Sequence, residues 1–276
     1  MNSILNDLSP SSLVTAIKNN LFDWYCYLGH SPNVEYHHDP HMTWLLTGIP
    51  YAFLNVVFRT QLPSDGGDEL ITETLAFFKS KRVTQLWWFA DPSAQDADLI
   101  KRLVANGLTF GEGMPGMAAD LLALQDEIPR VAGLTIVPVT TEETLKQWVR
   151  TIWIGYGLPD SSENIWFDLF ANLGFDLPLR NYIAFQNEEP VAASQLFLSA
   201  GVGGIYCVAT VPSARRQGIG VAITLAPLLD ARRMGYRVGI LQSSQMGYPV
   251  YRQLGFQEYC KMSRCLWQND AGDIGA

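Results

Sequence analysis

Two arginines and two glycines, set between an apolar run and a helix-forming run, carry the most chemistry in this 276-residue sequence. The segment reads Val208-Ala209-Thr210-Val211-Pro212-Ser213-Ala214-Arg215-Arg216-Gln217-Gly218-Ile219-Gly220-Val221. Glycine lets a backbone approach a ligand closely and turn without a Cβ penalty. The first N–H groups of the following helix lack intrahelical partners, and the macrodipole adds about half a positive charge there. With a guanidinium from Arg215 or Arg216, such a turn could cradle a diphosphate. The spacing is neither the P-loop G-x-x-x-x-G-K-S/T nor the dinucleotide G-x-G-x-x-G. Taken alone, R-x-x-G-x-G also reads as a glycine cap on a solvated basic loop.

A second segment follows the next apolar run: Leu241-Gln242-Ser243-Ser244-Gln245-Met246-Gly247-Tyr248-Pro249-Val250-Tyr251-Arg252-Gln253-Leu254-Gly255-Phe256. In this order the two segments resemble the GCN5-related N-acetyltransferase (GNAT) superfamily. There, an R/Q-x-x-G-x-G/A loop binds the acyl-CoA pyrophosphate and a later L-Y-x-x-L-G-F run carries a tyrosine acid. The resemblance covers about Leu134 to Leu266 and implies acetyl-CoA as co-substrate. It assigns Val208, Ala209 and Thr210 to the pantetheine arm, as main-chain partners at a sheet edge. Arg215, Arg216, Gln217, Gly218, Ile219, Gly220 and Val221 would hold the pyrophosphate. Ser244 stands where many relatives have an asparagine that contacts the pantetheine. Tyr251 would be the general acid, with an unperturbed pKa near ~10 and so able to protonate a departing thiolate. Its competing reading is a core tyrosine packed beside Phe256.

No histidine follows residue 131, so the general base must be a carboxylate, a phenol or a water chain; Glu163, Asp160 and Tyr206 are unranked candidates. Trp166, Phe167 and Phe170 could line an acceptor pocket, but their spacing fits an amphipathic core helix better. His37, His38 and His41 with Glu35 suggest a metal, yet Pro40 breaks any helical face, and a solvated loop with no metal is the expectation.

The elements that must position these residues follow from periodicity. Asn181–Phe185 and Val191–Leu198 read as strands around the turn Gln186–Pro190, and Val202–Thr210 as a third strand that Pro212 stops. Residues 218–234 read as a helix kinked at Pro227 and closed by Gly235. Strand Arg237–Gln242, helix Gly247–Leu254 and strand Phe256–Trp267 complete this half. Earlier, Tyr51–Thr60 reads as a strand, Asp68–Lys81 as a helix, Gln85–Phe89 as a strand and Asp98–Asn106 as a helix. Gly107–Leu122 reads as a strand pair broken by its glycines. The order repeats, so the expectation is two tandem α/β copies, each a mixed sheet flanked by helices. The boundary falls in the polar stretch Gln125–Gly133, giving residues 1–128 and 129–276. In the first copy Asp65, Asp68 and Glu69 would repel a pyrophosphate, so only the second copy should bind CoA.

Composition sets the limits. The chain is 48% hydrophobic and 17% charged, with net charge −8, which suits a globular protein and excludes wholesale disorder. Residues 1–130 hold eight Lys and Arg against fifteen Asp and Glu; the remainder hold eleven against twelve. Neither half is basic enough to track nucleic acid. No secretory leader or spanning segment is evident, and the four cysteines form no C-x-x-C, so a cytoplasmic, membrane-free protein is expected. The expected activity is acetyl transfer from acetyl-CoA to a primary amine on a small molecule or peptide. The alternative is a non-catalytic acyl-CoA sensor.

Overall fold

The computed structural model describes residues 3–90, 97–158 and 162–269. In chain order it contains α1 (Pro10–Leu28), β1 (Glu35–His38), β2 (Thr43–Leu46), β3 (Asn55–Phe58), α2 (Gly67–Ser80) and β4 (Gln85–Phe89). Next come α3 (Ala97–Ala105), β5 (Thr109–Asp120), β6 (Leu134–Pro138), α4 (Glu142–Tyr156) and α5 (Glu163–Leu173). The chain continues with β7 (Leu179–Gln186), β8 (Glu189–Ser199), β9 (Val202–Thr210), α6 (Ile219–Arg233), β10 (Val238–Gln242), α7 (Tyr248–Gln253) and β11 (Gln257–Gln268). The mixed α/β class is as expected.

Contacts divide the chain into two compact units. The first is Met1–Trp24 with Pro115–Cys260, the second Tyr25–Met114 with Lys261–Ala276. The chain passes between them inside α1, β5 and β11, whereas the sequence reading placed one boundary at 128/129, which lies within the first unit. Strand partners more than a hundred residues apart leave no local signal, so the interleaving is invisible to periodicity.

In the first unit the strand order is β5, β10, β9, β8, β7, β6, and only β9 and β10 run parallel. The turn between β7 and β8 is tighter than expected. Asn187 and Glu188 both take positive φ (51° and 72°), the two-residue hairpin geometry that matches strand twist. Helix α6 buries Ile223, Leu225, Leu228 and Leu229 against Leu196, Ile205 and Leu241 of the sheet. Each such side chain contributes roughly 1.5–3 kcal/mol before ordering entropy is counted. Helix α1 docks through a buried polar network. Trp24 stacks on Tyr206 at 4.8 Å and donates its indole N–H to Gln195, while the Tyr206 hydroxyl donates to Asn20.

In the second unit β1, β2, β3 and β4 are neighbours in that order, and β4 pairs antiparallel with residues 264–268 of β11. Strands β3 and β4 are parallel, and α2 and α3 pack Ile71, Phe78, Leu99 and Leu103 onto Val57, Leu86 and Trp88. Here the reading of Gly107–Leu122 as a strand pair is corrected: β5 is one continuous strand. Its glycines admit a neighbour instead of making a turn. A Cβ on Gly113 would lie 2.9 Å from the Met262 carbonyl carbon. In the first unit, a Cβ on Gly116 would lie 2.6 Å from the Cys260 sulfur.

Each unit thus contains a strand, a helix entered through a left-handed glycine, and a parallel strand: β3–Gly66–α2–β4 and β9–Gly218–α6–β10. That is the repeat read from the sequence. No described helix is long and apolar enough to cross a membrane.

Candidate active site at the end of β9

Strand β9 outruns its parallel partner. Pairing with β10 covers Gly203–Ile205 against Gly239–Leu241, and β9 then continues to Thr210. On the β8 side the register slips once: Gln195 faces Tyr206 and Ala193 faces Ala209, so Cys207 and Val208 together oppose Ser194. Cys207 has φ +51°, which makes this a β-bulge that bends the strand and re-aims its side chains. Among the described residues no strand pairs with residues 207–210 on the side toward β10, which leaves a place for an extended ligand to pair.

Beyond Pro212 a 3-10 turn leads into the cradle segment. Arg216 and Gly218 both take left-handed backbone (φ +62° and +83°), which turns the chain into the N-terminus of α6. Gly218 is needed for that turn. Gly220 is not needed for packing, because the nearest atom to an added Cβ is Thr210 Oγ1 at 3.7 Å. The space in front of the first helical turn is therefore left open by the protein, where unpartnered N–H groups and the helix dipole favour an anion.

The two arginines have different partners. Arg215 donates from Nε to the Thr210 carbonyl (3.1 Å) and from a terminal nitrogen to the Gly155 carbonyl at the end of α4 (2.8 Å). Arg216 is exposed, and among the described residues none bonds its guanidinium. Gln217 exchanges amide bonds with Ser213 and Gln186. Ile219 is buried in the core; Val221 is half-buried against it.

Tyr251 lies on α7, after β10. Its ring sits over Gly247, where an added Cβ would come within 2.7 Å of Cε2, so Gly247 fixes the ring's place. The ring meets Phe256 edge-on at 6.1 Å and is only 8% exposed, yet among the described residues no group is hydrogen-bonded to its hydroxyl. Burial pushes its pKa up to about 12. Ser244 accepts the Gly247 N–H at 3.1 Å, so its side chain helps form the turn into α7. Tyr156, the last residue of α4, keeps part of its side chain in solvent, and its phenol is within electrostatic reach of Cys207 and Tyr251. Burial first, and then those two neighbours, hold its pKa well above the usual tyrosine value. Burial likewise raises the Cys207 thiol. No spacing along the chain joins the end of α4 to the end of β9; that meeting depends on where α4 stops.

No protein-family model and no curated protein matches the sequence. Solved structures do match. A GCN5-related N-acetyltransferase from Kribbella flavida is 18% identical, covers 98% of both chains and superposes with a TM-score of 0.65. A tandem GNAT protein from the clavulanic acid biosynthesis pathway is 14% identical over 91% of this chain and 95% of its own, with a TM-score of 0.58. A functionally unknown conserved protein from Staphylococcus epidermidis is 16% identical over 84% and 93%, at 0.63. The chain has the GCN5-related N-acetyltransferase fold.

Around this GNAT fold the other expected residues fall as follows. Glu163 is ion-paired with Arg150 at 2.8 Å, Tyr206 is bonded to Asn20, and Asp160 lies outside the described residues. Trp166 and Phe170 are core, packed with Trp148 and Trp153, while Phe167 is half-buried under Lys146. The solvated-loop reading of the histidines needs correction: His37 and His38 stand in strand β1, and only His41 lies in the turn. His37 stacks on Trp44 and bonds Asp39, His38 bonds Thr43, and His41 lies 3.3 Å from the Gln61 carbonyl. Among the described residues no group of three His, Cys, Asp or Glu could hold a metal.

In the second unit the start of α2 is closely packed. A Cβ on Gly67 at the start of α2 would meet Arg102 at 2.7 Å and Leu62 at 3.3 Å. Arg102 is held there by Asp98 and Asp68, and Trp88 bonds across to Thr60 beyond the end of β3.

Proposed function

We propose that the first unit transfers an acetyl group from acetyl-CoA to a primary amine, with Tyr251 as general acid. The observation that carries this reading is the open, glycine-lined start of α6 beside a strand end that has no partner on its β10 side. A pyrophosphate fits the first feature and a pantetheine arm the second. Val208, Ala209 and Thr210 face the arm; Arg216, Gly218, Ile219, Gly220 and Val221 surround the phosphates, with Gln217 shaping the loop; Ser244 flanks the arm from the β10 side.

In this reading an arm paired along the strand end carries the thioester toward Tyr251. A neutral amine attacks the thioester carbonyl carbon, forming the C–N bond, and the carbonyl oxygen takes the charge toward a main-chain N–H of the strand end. The C–S bond breaks and the sulfur leaves with the Tyr251 proton. The surplus proton on nitrogen leaves through water and restores the phenol. The net movement is one proton from amine to sulfur. Cys207 stays a thiol because burial disfavours its thiolate, so transfer is direct and no acyl-cysteine forms.

The acceptor is a small-molecule or peptide amine. A glucosamine N-acetyltransferase region of a fungal multi-domain GH3 beta-N-acetylglucosaminidase has this fold at 14% identity, which makes amino sugars sensible members of a first panel. A second reading, an acyl-CoA sensor without turnover, is favoured by the ion pair that engages Glu163 and the turn that engages Ser244. Thiol release from acetyl-CoA across a panel of amines separates the two. Turnover that collapses in Tyr251→Phe supports the transferase; binding without turnover on any amine supports the sensor.

A further inference from the structure

The R-x-x-G-x-G segment contains two adjacent arginines, and the structure gives them different work. The Arg215 guanidinium donates to two main-chain carbonyls: Thr210 at the end of β9 and, 60 residues before the arginine in the chain, Gly155 in the last turn of α4. Carbonyls in the last turn of a helix have no intrahelical partner and carry the negative end of the dipole. Helix α4 has no basic residue of its own in that turn. Arg215 supplies the missing cation from the loop that follows β9.

The same junction is packed too closely for any residue but glycine. A Cβ on Gly155 would stand 2.8 Å from the Ala209 Cβ and 3.3 Å from the Thr210 nitrogen. Immediately after it come Tyr156, the last residue of the helix, and Gly157, which ends it in left-handed backbone. The amides of Gly157 and Leu158 bond back to Ile154 and Trp153.

We infer that Arg215 is a positioning residue: its planar fork clasps the end of α4 to the end of β9 and so fixes Tyr156, the residue after Gly155, beside that strand end. The phosphate contact then falls to Arg216, whose side chain is exposed and unbonded among the described residues. This division rests on the reading of the α6 cradle as an acetyl-CoA site, and it adds that the donor loop and the helix bearing Tyr156 are mechanically joined. A lysine restores the charge at 215 but not the fork, which spans two acceptors in fixed geometry.

The test has one arm without ligand and one with it. In the unliganded protein, amide hydrogen exchange at Gly157 and Leu158 should accelerate about tenfold in both Arg215→Ala and Arg215→Lys, and stay at the wild-type rate in Arg216→Ala. In the second arm, affinity is measured for acetyl-CoA and for acetyl-pantetheine, which lacks the pyrophosphate. Both Arg215 variants should weaken both donors by about tenfold, whereas Arg216→Ala should weaken acetyl-CoA alone. Unchanged exchange in Arg215→Ala, or full recovery of acetyl-CoA affinity in Arg215→Lys, would overturn the clasp. Wild-type protein that binds neither donor would instead overturn the cofactor reading, and the exchange arm would still decide the clasp.

Discussion

The Ser194 hydroxyl donates a 2.7 Å hydrogen bond to the Ile223 carbonyl, the group that Pro227 in the next turn of α6 has no N–H to bond. Ser194 is fully buried, and it is also the residue that faces the Cys207–Val208 bulge. Its own carbonyl accepts the Trp148 indole N–H from α4 at 2.9 Å. One serine therefore repairs the proline-interrupted helix and ties it to the strand that bends at the candidate site. Ser194→Ala should cost about 1–3 kcal/mol by orphaning a buried carbonyl. Adding Pro227→Ala returns an N–H to that carbonyl, so the double variant should recover part of the loss. A denaturation double-mutant cycle reads the coupling, expected at about 0.5 kcal/mol or more.

Tyr251 should impose its acid limb far into the alkaline range. A general acid works while protonated, so its contribution holds below its pKa and is lost as pH rises through it. Burial places that point at about 12. The pH profile of kcat should therefore show no tyrosine-dependent fall near pH ~10, where a solvated phenol would titrate. Tyr251→Phe should lower kcat by roughly 10²–10⁴ with little change in stability. A fall centred near pH ~10 in the wild type and absent in the variant would place the phenol in water instead.

Gly220→Glu should separate folding from binding. The space in front of Gly220 is open, with Thr210 Oγ1 at 3.7 Å from an added Cβ, so the side chain fits. A carboxylate in the first turn also suits the helix dipole, worth about 0.3–1 kcal/mol. Thermal stability should hold or rise slightly while acetyl-CoA affinity falls at least about tenfold, because the added charge opposes the pyrophosphate. Affinity equal to wild type would remove the phosphates from this turn.

Cys207 should prove dispensable for chemistry. Its thiol is held protonated by burial, so the thiolate needed for acyl capture is scarce. Cys207→Ala should keep kcat within a few-fold on the order expected of a small packing change. Intact-mass spectra of wild type mixed with acetyl-CoA should show no acetyl adduct on this residue. A stable adduct at Cys207 would replace direct transfer with a two-step route.

Local chemistry was legible in the sequence wherever neighbours along the chain create it. The αL turn at Gly218, the strand stop at Pro212, the parallel β–α–β unit and the core roles of Trp166 and Phe170 all depend on residues a few positions apart. What depends on distant pairing was not. The glycines at 113 and 116 read as turns because their real cause, Met262 and Cys260 on β11, is about 150 residues away. His37 and His38 read as loop because β1 is short and its partner β2 is equally short. Pro227 read as a kink, and nothing nearby announced that Ser194 would satisfy the carbonyl it leaves. The two carbonyl partners of Arg215 belong to a strand end and a helix end that meet only in the fold, so no spacing along the chain announces them.

The central claim is that the first unit alone holds acetyl-CoA at the start of α6. Calorimetric titration of the whole chain with acetyl-CoA, for wild type beside Gly220→Glu, tests it most directly. The account predicts one site per chain, lost in the variant, since the first turn of α2 in the second unit carries Asp68 and Glu69, which oppose a pyrophosphate. Two sites per chain, or a single site indifferent to Gly220→Glu, would contradict it.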